Sequence, residues 1–93
     1  MAEMLMVFTY DIAANRARRK VAEMLEERCV RVQKSVFETR MRRADAHKLA
    51  RKLARQLSPG DSLRVYAITA QGLEKSLAYG PVPLPEDQDF YLL

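Results

Sequence analysis

The stretch that decides the fold is Met4-Leu5-Met6-Val7-Phe8-Thr9-Tyr10-Asp11. Its first seven residues carry no charge, are nearly all apolar, and end abruptly on a carboxylate. That pattern predicts a strand buried on both faces, and therefore one in the middle of a sheet. Asn15 is placed to cap a helix running to about Arg28. Within it Ala17, Val21, Met24 and Leu25 recur at helical spacing, while Arg18, Arg19, Glu23 and Glu26 fall on other faces. Arg19 and Glu23 are spaced as an i,i+4 ion pair.

From Val30 to Met41 the period changes to two. Val30 and Val32 alternate with Arg31 and Gln33; Val36 and Phe37 break the phase, and Phe37, Thr39 and Met41 resume it on the other parity. A slip of this kind requires either a β-bulge or a very tight reversal between two strands somewhere between residues 33 and 39. The next helix is expected over about Ala44 to Leu57, with Ala46, Leu49, Ala50, Leu53 and Leu57 on one face and Lys48, Arg51, Lys52 and Arg55 opposite. Ser58-Pro59-Gly60-Asp61 stops it. Leu63 to Thr69 reads as a further strand, followed by a looser stretch punctuated by Gly72, Gly80, Pro81, Pro83 and Pro85.

Strand, helix, paired strands, helix, strand is the order of an α+β ferredoxin-like βαββαβ domain: an antiparallel sheet with two helices on one face. One such domain is expected to occupy residues 1–93, because a chain this short does not hold two independent cores. Phe90-Tyr91-Leu92-Leu93 has no slot in that sheet. The reading makes residues from about 80 a linker and an extra C-terminal strand, added to an exposed sheet edge of the same chain or of a second copy.

The net charge of +4 conceals an asymmetry. Residues 16–55 hold 14 of the 16 Lys and Arg against five acids, and both flanks are acidic. A basic middle of this density in a small domain is the footprint of a polyanion binder; the plainer reading is a pair of solvated helix faces. No apolar run approaches the ~18 residues that cross a bilayer, and Met1-Ala2-Glu3-Met4 lacks a basic leader segment, so a cytoplasmic protein with no membrane partner is expected. The single cysteine, Cys29, forms no internal disulfide and supports no multi-cysteine zinc site.

The chain has no glycine-rich phosphate loop, no GxSxG, no HExxH and no Cys/His cluster. His47 lies on a helix flank, Cys29 reads as a small core filler, and Ser35 has no companion base nearby in sequence. Asp11 stands apart. A carboxylate at the end of a buried strand emerges at the sheet rim, where it either caps the turn into the first helix or meets a ligand. One carboxylate is a poor Mg²⁺ site, but a two-fold axis nearby would bring two together against a phosphate.

Taken together, Tyr10-Asp11-Ile12, Arg18-Arg19-Lys20-Val21-Ala22 with Leu25, Arg31-Val32-Gln33-Lys34-Ser35-Val36-Phe37-Glu38 and Asp61-Ser62-Leu63-Arg64-Val65-Tyr66 resemble a single family. It is the small CRISPR-associated endonuclease family, the smaller of the two core spacer-acquisition proteins. The resemblance runs in order over nearly the whole chain. It implies a ferredoxin-like homodimer whose C-terminal strand joins the partner's sheet, and a Mg²⁺-dependent nuclease (Mn²⁺ as substitute) acting on single-stranded RNA or double-stranded DNA. By the same resemblance Asp11 is the catalytic metal ligand from each protomer. Tyr10, Arg18, Arg31 and Phe37 support the site or its nucleic acid, and the dimer bridges the CRISPR integrase and holds the duplex. Arg16, Arg18 and Arg19 are candidate phosphate contacts from the charge pattern. Two other functions fit the same residues: a non-catalytic DNA scaffold, which needs the basic faces but not Asp11, and a toxin-like ribonuclease of the VapD type.

Overall fold

The structure, a computed structural model, describes residues 3–85 of the chain. The proposed terminal strand at Phe90–Leu93 lies outside the described residues. The chain runs β1 (Glu3–Asp11), α1 (Asn15–Glu26), β2 (Val30–Gln33), β3 (Val36–Arg42), α2 (Arg43–Ala54), β4 (Ser62–Ile68) and α3 (Ala70–Glu74). The strands form one sheet in the order β2-β3-β1-β4, and every neighbouring pair is antiparallel. This is the ferredoxin-like arrangement expected from the order of elements.

β1 lies inside the sheet, its register set on both sides: Phe8 faces Phe37 of β3 and Val65 of β4, and Met6 faces Thr39 and Ala67. Its even-numbered residues Met6, Phe8 and Tyr10 are buried beneath the helices. There they join Phe37 and Met41 of β3, Val21, Ala22 and Leu25 of α1, and Ala46, Leu49 and Leu53 of α2 in one core. The helical spacing of those apolar positions turns a single stripe of each helix onto the sheet. The other face of the sheet is less covered: Val7 and Thr9 are only half-buried, and Tyr66 and Val30 stay 48% and 60% exposed. On that second face Leu5 is nonetheless 1% exposed, so β1 is covered there at its Leu5 end and only partly from Val7 onward.

The phase slip resolves as both of its possible forms. A two-residue turn, Lys34-Ser35, joins β2 to β3, and the register shifts between Arg31 and Gln33. The extra residue lies in β2, between Arg31 and Gln33, whereas Val36 and Phe37 keep unbroken register in β3, opposite Thr9 and Phe8, and so point to opposite faces of the sheet. Other expectations are corrected in detail. Asn15 is the first helical residue of α1, not its cap; Ala14 takes that place with no side-chain bond, and the Asn15 amide oxygen instead accepts from Arg18. The helix closes at Glu26, where the amides of Arg28 and Cys29 turn back onto the Leu25 carbonyl. The Arg19–Glu23 ion pair is not formed; the ion pairs among the described residues join Arg31 to Glu26 and Arg42 to Asp45. α2 starts directly at Arg43, with no residue between it and β3. Within the stretch read as loose, α3 forms behind Thr69, whose hydroxyl accepts from the Gly72 amide at 3.1 Å. Gly72 in its middle hid this short helix from a reading by propensity.

The reversal after α2 is tied by Asp61. Its amide donates to Ser58 O (2.9 Å), and Gly60 has φ +92°, the left-handed position that glycine fills after Pro59. One Asp61 carboxylate oxygen accepts from the Ser58 amide at 2.8 Å, the other from the Ala13 amide at 3.1 Å across the rim.

Two outcomes are expected. Phe8 and Phe37 are fully buried; replacing either by Ala should cost about 3–5 kcal/mol, read as a lower urea midpoint at unchanged m-value. The two amides facing Asp61 hold its carboxyl below the usual range. Its stabilising contribution is therefore complete above the ordinary aspartate value of about 4 and lost as pH falls through the lower folded value. Asp61→Ala should lower Tm by a few degrees at pH 7, and the gap to wild type should close at strongly acid pH.

Candidate active site

β1 ends at a cleft of about 730 Å³ bounded by the start of α1 and the β2–β3 turn. Strand alternation divides the last two residues of β1. Tyr10 points into the core and is 5% exposed, whereas Asp11 is exposed at the rim. Asp11 is the last rung of the sheet on this side, paired with Ser62 of β4.

The floor of the cleft is organised around one backbone oxygen. Lys34 O accepts from the Tyr10 hydroxyl (3.2 Å) and from Nε and a terminal nitrogen of Arg31 (3.2 and 2.7 Å). The Tyr10 amide also donates to Ser35 O at 3.2 Å, so the two-residue turn is held to the end of β1 by both main chain and side chain. Arg31 is opposite Phe37 in register, which puts both on one face; its guanidinium lies 5.2 Å from the Phe37 ring centroid and binds Glu26 at 3.1 Å. Tyr10 and Phe37 stack with centroids 6.2 Å apart. Burial raises the Tyr10 phenol above its ordinary range, with Arg31 partly opposing. The phenol is therefore protonated at neutral pH and acts as a donor, not as a base.

Arg18 is spent on the loop after Asp11. One of its terminal nitrogens donates to Ile12 O (3.0 Å) and Ala13 O (3.1 Å), and the other to the Asn15 side chain. The structure thus brings Tyr10, Arg18 and Arg31 to the cleft that Asp11 lines, with Phe37 packed behind Tyr10 and Arg31, all engaged in holding backbone or one another. Phe37 is wholly buried and cannot touch nucleic acid. Arg16 and Arg19 are different: both are exposed on α1 and bonded to no described residue. Arg19 borders the Asp11 cleft and also a second hollow shared with Arg16, Lys20 and Gln56.

The Asp11 carboxylate makes no hydrogen bond or ion pair with the described residues. The capping role open to it in the sequence belongs to Asp61, which takes the Ala13 amide. Sequence reasoning missed Asp61, Glu26 and the Lys34 carbonyl as parts of this site. The first had a signal in its place after Pro59-Gly60; the other two had none, because they act through strand register and backbone. Ser35 lines the cleft, but His47 is exposed on α2 and takes no part in it. Burial pushes the Cys29 thiol up to about 11, so it is not a nucleophile at neutral pH. No group of three or more His, Cys, Asp or Glu that could hold a metal occurs among the described residues. What Asp11 offers is one free, exposed carboxylate per chain, which fits a hard ion that keeps waters and takes its remaining ligands from a second carboxylate and phosphate oxygens.

Among the described residues no helix is long and apolar enough to cross a membrane. Residues 4–76 match the family model described as CRISPR associated protein Cas2. The CRISPR-associated endoribonuclease Cas2 2 of Synechocystis sp. is 37% identical over 86 residues, covering 90% of this chain and 92% of its own. The CRISPR-associated endoribonuclease Cas2 1 of Chloroflexus aurantiacus is 36% identical over 97% of this chain and 100% of its own. A hypothetical protein of Thermus thermophilus, TT1823, has a crystal structure that superposes with a TM-score of 0.72 at 35% identity, covering 87% of this chain and 98% of that one. A match over most of the length, the shared sheet and helices, and relatives above 30% identity lead to one conclusion: the chain belongs to the CRISPR-associated Cas2 family.

Proposed function

We propose that this protein is a homodimeric, Mg²⁺-dependent endonuclease of CRISPR adaptation, cutting single-stranded RNA or double-stranded DNA and serving as a DNA-binding bridge for the spacer integrase, Cas1. The observation that carries the catalytic part is the Asp11 carboxylate, exposed and without a partner among the described residues, at the end of the central strand beside exposed cationic side chains. The endoribonuclease names of the relatives support it. The half-covered sheet face, with Val30 and Tyr66 exposed, supports a second copy as partner; the integrase partner rests on family membership.

In this reading Asp11 from each protomer would hold Mg²⁺, and the ion when bound would supply Lewis-acid activation of water and offset charge on the phosphate. Arg19, on the exposed rim of the cleft, and Lys34, on the turn, attract and orient the phosphodiester. Tyr10, Arg31 and Phe37 keep the turn from moving, and Arg18 fixes the loop that follows Asp11. Beyond the cleft, Arg16 and Lys20 of α1, Lys48, Arg51 and Lys52 of α2, and Arg55 just after it are exposed and supply sequence-independent phosphate contacts. A non-catalytic scaffold is the second reading. It is favoured by one observation: the cleft is lined by no histidine and its tyrosine is a protonated donor, so beside Asp11 only Glu23 and the Arg31-paired Glu26 are there to take a proton.

Asp11→Asn should abolish metal-dependent cleavage, by about 100-fold or more given the size of such electrostatic contributions, while dimerisation and DNA binding persist. Wild type and variant measured side by side, in magnesium and in chelator, decide between the readings. Equal cleavage by both would remove Asp11 from the chemistry; no cleavage by either, with DNA still bound, would leave the scaffold. Duplex affinity should fall steeply with salt. Each of Arg16, Arg19, Lys48, Arg51, Lys52 and Arg55 changed to Ala should flatten the slope of log K against log salt by about 0.9 for every phosphate no longer neutralised. Arg18→Ala should act instead through the loop it braces.

A further inference from the structure

We infer that Asp61 is a positioning residue for the Asp11 site, one that fixes the backbone on which the Asp11 carboxylate is presented. The inference rests on the metal-dependent reading of Asp11 given above.

The antiparallel pairing of β1 with β4 ends at the Asp11–Ser62 rung. Past it the two chains diverge, one into the loop toward α1 and the other back into the turn after α2. No rung of that ladder holds the chain beyond Asp11. Asp61, the residue just before Ser62, supplies the missing connection with a side chain. One oxygen takes the amide of Ala13, two residues beyond Asp11, at 3.1 Å; the other takes the amide of Ser58 at 2.8 Å. Arg18 holds the same loop by its carbonyls, at Ile12 and Ala13. Ala13 is thereby gripped at its amide by an anion and at its carbonyl by a cation, and the strand end cannot rotate without breaking charge-assisted bonds.

The residue type is specific to this task. Both Asp61 oxygens are acceptors in use, and an asparagine in its place keeps only one. A residue that merely closed its own turn would need the Ser58 contact alone; the reach to Ala13 couples the turn to the loop that carries Asp11. Ligand geometry has to be held within a fraction of an ångström for an ion that demands near-octahedral coordination, so loosening this loop should weaken metal retention while leaving the fold and the basic faces in place.

The test uses the full-length protein as wild type, Asp61→Asn and Asp61→Ala. Two readouts are taken: Mn²⁺-induced paramagnetic broadening of the amide resonances of residues 11–13, and the Mg²⁺ concentration for half-maximal cleavage. Asp61→Ala should require about 10-fold more metal in both, in line with other groups that orient a metal ligand, and Asp61→Asn a smaller increase. DNA affinity in chelator should be unchanged. A loss of global stability alone would not move metal half-saturation in a sample that remains folded. If Asp61→Ala fails to fold, the Asp61→Asn shift decides. Half-saturation identical to wild type in the folded variants would overturn the positioning role while leaving the nuclease reading intact. Absence of both Mn²⁺ broadening and cleavage in wild type would overturn the nuclease reading, and this inference with it.

Discussion

Everything in this molecule hangs on the double pairing of β1. The strand is bonded to β3 on one side and β4 on the other, and it puts Met6, Phe8 and Tyr10 at the bottom of the core. Because side chains alternate with period two, burying those three residues leaves no freedom in register: a slip of one residue would lift all of them onto the open face. The same alternation delivers Asp11 to the rim. Core packing and presentation of the candidate ligand are therefore a single constraint, met by one unbroken strand.

Charge serves two different purposes around that strand. Arg18 and Arg31, which belong to the basic block of residues 16–55, are turned onto backbone carbonyls of this chain. Fork-shaped guanidinium groups suit that work, since each presents several donors in one plane. Arg16, Arg19 and Lys20 on α1, like Lys48, Arg51 and Lys52 on α2, are exposed to solvent and make those helix surfaces basic. Net charge alone does not separate the two populations; hydrogen-bond partners do. The sheet's other face has a different character, with Val7 half-buried and Tyr66 exposed in one register row.

Much of this was legible in the residues, for reasons that differ from place to place. The apolar run of β1 and the helical stripes of α1 and α2 depend on periodicity, which the sequence states directly. The break in alternation at Val36-Phe37 correctly marked a disturbed strand pair, but whether it was a turn or a bulge depended on register, and it proved to be both. Asn15 illustrates a competition that sequence does not resolve: its side chain could cap α1 or bond Arg18, and the arginine wins. At the candidate site, Asp11 stands out by its position at the strand end and by family resemblance, and the structure places it exposed at the rim. The Lys34 carbonyl was beyond reach, because any residue has one and only the fold decides which carbonyl three donors converge on. Asp61 was quoted in a motif without its task, since its partner Ala13 is brought near only by the β1–β4 pairing.

The direct passage from β3 into α2 has a consequence of its own. Arg42 ends the strand and Arg43 begins the helix, so no slack exists between them. An α-helix advances about 100° per residue, so the rotational phase of α2 is geared to the register of β3. A single inserted residue at that junction would swing Ala46, Leu49 and Leu53 off the core and bring Asp45, Lys48 and Lys52 toward it. The direction in which α2 displays its cations is thus locked to the sheet like a key to its ward.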